Sequence, residues 1–174
     1  MHIQCTSKVL DFLKEKPQEL NTDDDIYAWH MNYMIVLRKK FIVLMHDLTR
    51  YSIVLYGLKK SDFKDPIFLL QKAMMITMHF DGFAQELVLK YINGISKVTY
   101  GKTKNRQLVS QLNRAMLDAD WYAHDCLYDQ IFQPEISQHL NHGFVGTNHW
   151  KEVHCPKDKM LKYLEMLSSE ITHV

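Results

Sequence analysis

Three apolar runs, separated by two short polar breaks, dominate residues 28–58 of the chain. The first break is the basic triplet at residues 38–40, and the second is the polar stretch at residues 47–50. The runs are rich in the β-branched and aromatic residues that favour strands. Gaps this short suit hairpins, because parallel strands need a long crossover. The pattern therefore predicts three consecutive antiparallel strands.

Helical patterns dominate most of the remaining chain. Asp65 followed by Pro66 is a typical helix start, since a capping carboxylate precedes a proline in the first turn. Apolar residues recur at three- and four-residue steps over residues 108–127, and Pro156 opens a last amphipathic helix. These elements predict an α+β fold with an antiparallel β-meander of three to four strands. We expect helices to pack on one face of the sheet, with a C-terminal helical extension.

The chain has 174 residues, which suits a single domain. We expect residues 1–130 to form the α+β core. Residues 131–174 would add a histidine-rich loop and a C-terminal helix that packs on this core. The contents of 47% apolar and 24% charged residues are those of a globular protein.

Polar side chains interrupt the apolar pattern near one end of the predicted sheet. If residues 38–40 form a three-residue loop, Asn32 lies opposite His46. If residues 48–50 form the second loop, His46 lies opposite Ser52. Because side chains alternate between the two faces of a strand, this register brings four polar residues to one face. They are His30, Asn32, His46 and Ser52.

This polar set has two interpretations. Polar groups on an apolar face need hydrogen-bond partners, so the set could form the floor of a ligand pocket in which histidine acts as an acid, a base or an anchor. Alternatively, it is only the rim at which the sheet meets solvent. On the first interpretation, the ligand-binding residues are Trp29, His30, Asn32, His46 and Ser52.

Charge and cysteine content constrain the partners and the location that we expect for the protein. The formal net charge is +1, from 21 basic and 20 acidic residues, so nucleic acid is a possible partner that the net charge does not favour. The three cysteines are far apart, which predicts reduced thiols in a cytoplasmic protein. The sequence contains no signal-peptide pattern and no apolar run long enough for a membrane span.

Metal and cofactor signals are weak. Histidine and cysteine are metal-ligand types, but their spacing in the C-terminal region matches no standard zinc module. The weak candidates for metal ligands are His139, His142, His149, His154 and Cys155. The phosphate-binding, dinucleotide-binding and common hydrolase motifs are absent from the sequence, so we expect no cofactor.

Three segments, in this order, resemble a known family: IQCTSKVLDFL, WHMNYMIVLRKKFIVLMHDLTRYSIVL and KTKNRQLVSQLNRAM. The family is the largely bacterial domain of unknown function 6933, and the resemblance covers about residues 1–130. It implies no established activity. His46 stands where the resemblance leads us to expect asparagine. The matching positions are Trp29, His30, Asn32, Arg38, Lys39, Asp47, Thr49, Arg106 and Asn113.

Two functional hypotheses follow from these observations. The first is a non-enzymatic binding or regulatory module with its site at the polar end of the sheet, which recognises a small ligand or a protein partner. The alternative is a metal-independent nuclease or phosphotransfer enzyme, in which histidines supply acid–base catalysis and arginines stabilise phosphate charge. Its candidate catalytic residues are His30, His46 and Arg50.

Overall fold

The computed structural model of the protein describes residues 1–19, 25–147 and 151–170. Within these ranges the strands are β1 (His2–Cys5), β2 (Ala28–Val36), β3 (Lys39–His46), β4 (Ser52–Tyr56), β5 (Thr99–Lys102), β6 (Val145–Thr147) and β7 (Glu152–His154). The α-helices are α1 (Ser7–Leu13), α2 (Pro66–Phe80), α3 (Gln85–Asn93), α4 (Arg106–Trp121), α5 (Pro134–His142) and α6 (Pro156–Glu170). Short 3-10 helices span Asp25–Tyr27, Lys60–Lys64 and Ala123–Asp125.

The main sheet of the described residues has five strands in the order β4-β3-β2-β1-β5. β2, β3 and β4 form the predicted antiparallel meander. β1, however, pairs in parallel with both β2 and β5. The prediction of a purely antiparallel sheet is therefore wrong, although the α+β class is confirmed. The parallel pairs are possible because long crossovers precede β2 and β5 in the chain, and these crossovers carry helices α1 to α3.

Helices cover both faces of this sheet, so the prediction that they pack on one face is wrong. We call the two sides face A and face B. α1, α2, α3 and α6 pack on face A, and α4 and α5 contribute to the core on face B. The buried apolar side chains of the meander on face A are Trp29, Met31, Ile42, Leu44, Ile53 and Leu55. Those on face B are Phe41, Val43, Met45, Val54 and Tyr56.

Helix α4 is the element that covers the polar end of face B. Asn105 caps it, because the Asn105 side-chain oxygen accepts hydrogen bonds from the backbone N–H groups of Gln107 (2.9 Å) and Leu108 (3.2 Å). Its apolar stripe, which includes the fully buried Leu112, packs against the strands. The cap and the stripe together fix which polar side chains of α4 reach the sheet.

Helix α5 seals the free edge of β4. The backbone N–H of Ser52 donates to the side-chain oxygen of Asn141 (2.7 Å), and the Asn141 side chain donates back to the Ser52 carbonyl (3.0 Å). The N–H of Val54 donates to the Ser137 hydroxyl (2.9 Å). The unpaired backbone groups of an open strand edge can pair with another chain. The bonds from α5 occupy these groups on Ser52 and Val54.

Candidate functional site

The predicted polar set lies on two different faces of the sheet. His30, Asn32 and Ser52 belong to face B, whereas Trp29 and His46 belong to face A. The prediction that His46 shares a face with the other polar residues is therefore wrong.

The first turn of the meander explains part of this difference. It contains only two residues, Leu37 and Arg38, and both have left-handed backbone conformations with φ of 45° and 64°. This geometry is that of a two-residue hairpin turn, which usually contains glycine or asparagine. Asn32 consequently lies opposite Val43 instead of His46.

The second turn explains the rest. It contains four residues, 47–50, and the N–H of His46 donates to the carbonyl of Tyr51 (2.8 Å) at its base. Ser52 therefore pairs with Met45. Each observed register differs from the predicted one by an odd number of residues, and such a shift moves a side chain to the opposite face.

On face B, His30 forms a buried pair with Asp47. The two atoms of the pair, His30 Nδ1 and Asp47 Oδ1, are 2.6 Å apart, and the imidazole is fully buried. Gln4 Nε2 donates to the other carboxylate oxygen at 3.4 Å. The N–H of Asp47 donates to the carbonyl of Ala28 (3.0 Å), which fixes the first residue of the turn against β2.

The second ring nitrogen of His30, Nε2, is buried and has no hydrogen-bond partner among the described residues. Because a carboxylate only accepts hydrogen bonds, the proton of a neutral imidazole here lies on Nδ1. Nε2 is then an acceptor. Buried polar atoms without a partner are rare in folded proteins, so this atom calls for an explanation.

Arg50 lies at the end of the same turn, with a positive φ of 64°. Its Nε donates to the side-chain oxygen of Gln111, and Gln111 Nε2 donates to the carbonyl of Gly146 (3.0 Å). Burial lowers the pKa of the Arg50 guanidinium, and the charge of Asp47 acts in the opposite direction. Its Nη1 is buried and lacks a hydrogen-bond partner within the part of the chain that the structure describes.

These side chains form one group, which we call the Asp47 cluster: Gln4, His30, Asp47, Arg50 and Gln111. It can offer a ligand one donor, from Arg50, and one acceptor, from His30. Sequence reasoning missed Asp47 as a site residue, because its position read only as a break between strands. Asp47 was, however, one of the positions that carried the family resemblance.

Asn32 lies beside the cluster but has a structural role. Its side-chain oxygen accepts from the Thr6 hydroxyl (2.9 Å) and from the N–H of Tyr33 (2.9 Å). Its side-chain nitrogen donates to the Asn113 oxygen at 2.9 Å. Asn32 therefore ties β2 to helix α4, and these bonds leave it little capacity for a ligand.

His46 on face A is occupied at both ring nitrogens. Nε2 donates to the carbonyl of Ile26 (3.2 Å), and Nδ1 lies 2.9 Å from the Thr49 hydroxyl. Burial lowers the pKa of His46 to about 4. The edge of its ring meets Trp29, whose indole nitrogen donates to the Tyr91 hydroxyl (3.2 Å). His46 is thus a neutral histidine of the core.

The C-terminal metal candidates have separate partners. His139 stacks on Tyr122 with ring centroids 4.1 Å apart. His142 Nε2 lies 3.2 Å from Asp81, and His154 Nε2 donates to the carbonyl of Thr49 (3.1 Å).

Cys155 donates to the carbonyl of Asn141 (3.2 Å), while His149 lies outside the described residues. Within residues 1–19, 25–147 and 151–170, no group of three or more potential ligands could hold a metal ion.

Sequence reasoning also missed a second buried carboxylate, Asp81 at the end of α2. Its side chain accepts from the Tyr51 hydroxyl (2.6 Å) and from the Asn141 side chain (3.2 Å), and it pairs with His142. The carboxylate raises the pKa of Tyr51 further than burial alone does. Asp81 precedes a glycine that ends a helix, so the sequence indicated only a helix end. Its contacts join the end of α2 to α5 and to Tyr51, the residue that precedes the edge strand β4.

The family model described as Domain of unknown function (DUF6933) matches residues 2–159. The chain therefore belongs to this family, and the match extends past residue 130 into the C-terminal region. No curated protein and no solved structure matches the chain. Among the helices of the described residues, none is long and apolar enough to cross a membrane.

Proposed function

We propose that this member of the family is a non-enzymatic binding module, and that the Asp47 cluster is its recognition site. One observation carries the proposal: His30 Nε2 and Arg50 Nη1, two nitrogens of the Asp47 cluster, are both buried without a hydrogen-bond partner among the described residues. Leaving such a group unpaired costs about 1–3 kcal/mol. A ligand that satisfies both nitrogens would recover this cost on binding.

The chemistry of the two nitrogens defines the class of ligand. The guanidinium of Arg50 requires an acceptor, and the Nε2 of a neutral His30 requires a donor. Asp47 contacts His30 and acts electrostatically on Arg50, so its carboxylate disfavours a negatively charged ligand. The best match is a small neutral ligand with an oxygen acceptor next to an N–H or O–H donor, as in a carboxamide.

The backbone of Arg50 also supports the proposal. A non-glycine residue at φ of 64° costs about 1–2 kcal/mol relative to the ordinary regions. Strain of this kind concentrates at functional sites, where it holds a side chain in position. Here it accompanies the half-buried guanidinium beside Asp47.

The proposed site does not include Trp29 or His46, because their side chains lie on face A. The same separation weighs against the alternative of a nuclease or phosphotransfer enzyme. His30 and His46 lie on opposite faces of the sheet, so they do not form an acid–base pair around one substrate. Arg38 lies at the far end of the β2–β3 hairpin from both histidines.

The residues C-terminal to position 130 support a single folded unit. Met160 and Leu164 of helix α6 are buried in the core on face A, so we propose that residues 131–174 belong to the same domain as residues 1–130. The cysteines Cys5, Cys126 and Cys155 are unpaired. Free thiols support the proposal of a cytoplasmic location.

The proposal is tested by titrating the ¹⁵N-labelled full chain with acetamide, with sodium acetate as the charged comparison. We expect acetamide to shift the backbone amide signals of His30, Asp47 and Arg50, and acetate to shift them less. The matched variants are Arg50→Gln, which should abolish the shifts, and Arg38→Gln, which should retain them. Shifts that are absent, or that persist in Arg50→Gln, would contradict the proposal.

A further inference from the structure

A polar cavity lies on the side of the molecule that carries α1 and the 3-10 helix Lys60–Lys64. Its volume is about 280 Å³. It shares no residue with the Asp47 cluster. The lining residues are Leu13, Glu15, Lys60, Phe63, Lys64 and Tyr100. We call this cavity the lysine groove.

Tyr100 lines the lysine groove and carries an unsatisfied donor. The residue is only 8% exposed, and its hydroxyl is buried with no hydrogen-bond partner among the residues that the structure describes. Burial raises the pKa of Tyr100 above its ordinary value, so the hydroxyl keeps its proton. Leu13, also buried, and Tyr100 form the inner wall of the groove.

Lys60 and Lys64 supply two positive charges at the outer wall. Both are exposed, and neither forms an ion pair with any described carboxylate. Asp62, in the same 3-10 helix, accepts from the backbone N–H of Lys59 (2.7 Å) and is held at the start of that helix. Among the described residues, Glu15 is the one acidic residue that lines the groove.

The surroundings of the groove are more basic than the chain as a whole. Phe12 of α1 contacts Phe63 edge-on, and the Lys40 ammonium lies 4.1 Å from the centre of the Phe12 ring. α1, the β2–β3 hairpin and the 3-10 helix are therefore neighbours. Residues 7–16, 37–40 and 59–65 contain nine basic and four acidic side chains, whereas the whole chain is nearly neutral. A positive region of this kind raises the local concentration of anions.

We propose that the lysine groove binds an oxyanion, a carboxylate or a phosphate group, between Lys60 and Lys64 with the Tyr100 hydroxyl as the third donor. Glu15 opposes the bound charge and limits the affinity. The site is independent of the Asp47 cluster, which favours a neutral ligand. Failure of either proposal leaves the other unaffected.

The test titrates the ¹⁵N-labelled full chain with sodium phosphate and, separately, with sodium acetate at constant ionic strength. We expect the amide signals of Glu15, Lys64 and Tyr100 to shift, and the two arms distinguish phosphate from carboxylate recognition. Lys60→Gln and Lys64→Gln should each weaken binding about fivefold, as expected for the loss of one solvent-exposed ion pair. Glu15→Gln should strengthen binding, which a purely structural role of Glu15 does not predict.

Lys162→Gln, a substitution of an exposed lysine on α6, is the control for net charge and should leave the affinity unchanged. Equal weakening by Lys162→Gln and Lys64→Gln, or no shift with either anion, would overturn the proposal. A second measurement uses Tyr100→Phe without any anion. If the hydroxyl is unpaired, its removal should keep or raise the Tm, and a clear fall in Tm would show a hidden partner and overturn its role as a free donor.

Discussion

The imidazole of His30 and the carboxylate of Asp47 are 2.6 Å apart inside the protein, and this contact fixes the ring so that Nε2 faces away from the carboxylate. The pair joins β2, the first strand of the meander, to the turn that follows β3. It also places the Asp47 carboxylate on face B, whose other buried side chains are mostly apolar.

The first prediction concerns the His30–Asp47 pair itself. Asp47→Ala leaves His30 and Gln4 without their shared acceptor in a buried position, so we expect the free energy of unfolding to fall by about 3–5 kcal/mol. Urea denaturation measures the change. Asp118→Ala is the matched control, because Asp118 forms an exposed ion pair with Arg114 (3.0 Å) and should have little effect. If Asp47→Ala and Asp118→Ala both have similarly small effects, the buried His30–Asp47 pair does not stabilise the fold as described.

The second prediction concerns the dependence of stability on pH. The pKa of His46 is about 4 in the folded protein, below its ordinary value of 6.5, so the unfolded chain binds a proton more readily between these values. Stability should therefore fall as the pH drops from 6.5 towards 4, by about 3 kcal/mol from His46 alone.

His46→Gln should flatten this part of the profile. Burial also lowers the pKa values of His2 and His154, so the relevant quantity is the difference between the wild-type and variant profiles. Denaturant titrations at several pH values supply it. Parallel profiles would show that His46 is not held neutral by the fold.

The third prediction concerns the turn between β2 and β3. Leu37 and Arg38 both have positive φ, although leucine and arginine disfavour this region. Replacing them with Asn and Gly, the preferred pair for such a turn, should raise the free energy of unfolding by about 1–2 kcal/mol. Arg38→Ala keeps the unfavourable conformation and should bring no gain. A double variant that is no more stable than the wild type would contradict the observed register.

The fourth prediction concerns the sealed edge of β4. Asn141→Ala removes two hydrogen bonds to Ser52 and one to Asp81, so it should destabilise the protein by about 3 kcal/mol. Ser137→Ala removes a single bond to the strand and should cost less. Because both changes expose backbone groups of an edge strand, self-association should increase. Light scattering at increasing protein concentration measures it, and unchanged scattering would argue against the role of α5 as a cover.

Local signals in the sequence were sufficient to predict the meander and the first residues of the helices. Pro66 and Pro156 begin helices as predicted, since capping and proline geometry act within one turn. The central position of β1 was not predictable, because it depends on parallel pairing with two strands that are distant in sequence. Such contacts leave no local signal in a four-residue strand.

The candidate site was predicted only in part for a related reason. His30 and Arg50 were among the predicted candidates and belong to the proposed site, but His46 was assigned to the wrong face because turn lengths were inferred from charge breaks. Leu37 and Arg38 lack the glycine or asparagine that would have indicated a two-residue turn. With the observed register, Asp47 lies on face B beside His30, and this contact is the centre of the Asp47 cluster.

The central claim is that His30 Nε2 and Arg50 Nη1 are free to bind a ligand. The most direct measurement is a side-chain ¹⁵N spectrum of the full chain, with and without acetamide, which reports on both nitrogens individually. We expect the His30 Nε2 and Arg50 Nη1 signals to shift on addition of acetamide while the His46 ring signals stay constant. If both nitrogens keep their positions, or if only the His46 signals move, the Asp47 cluster is not the recognition site.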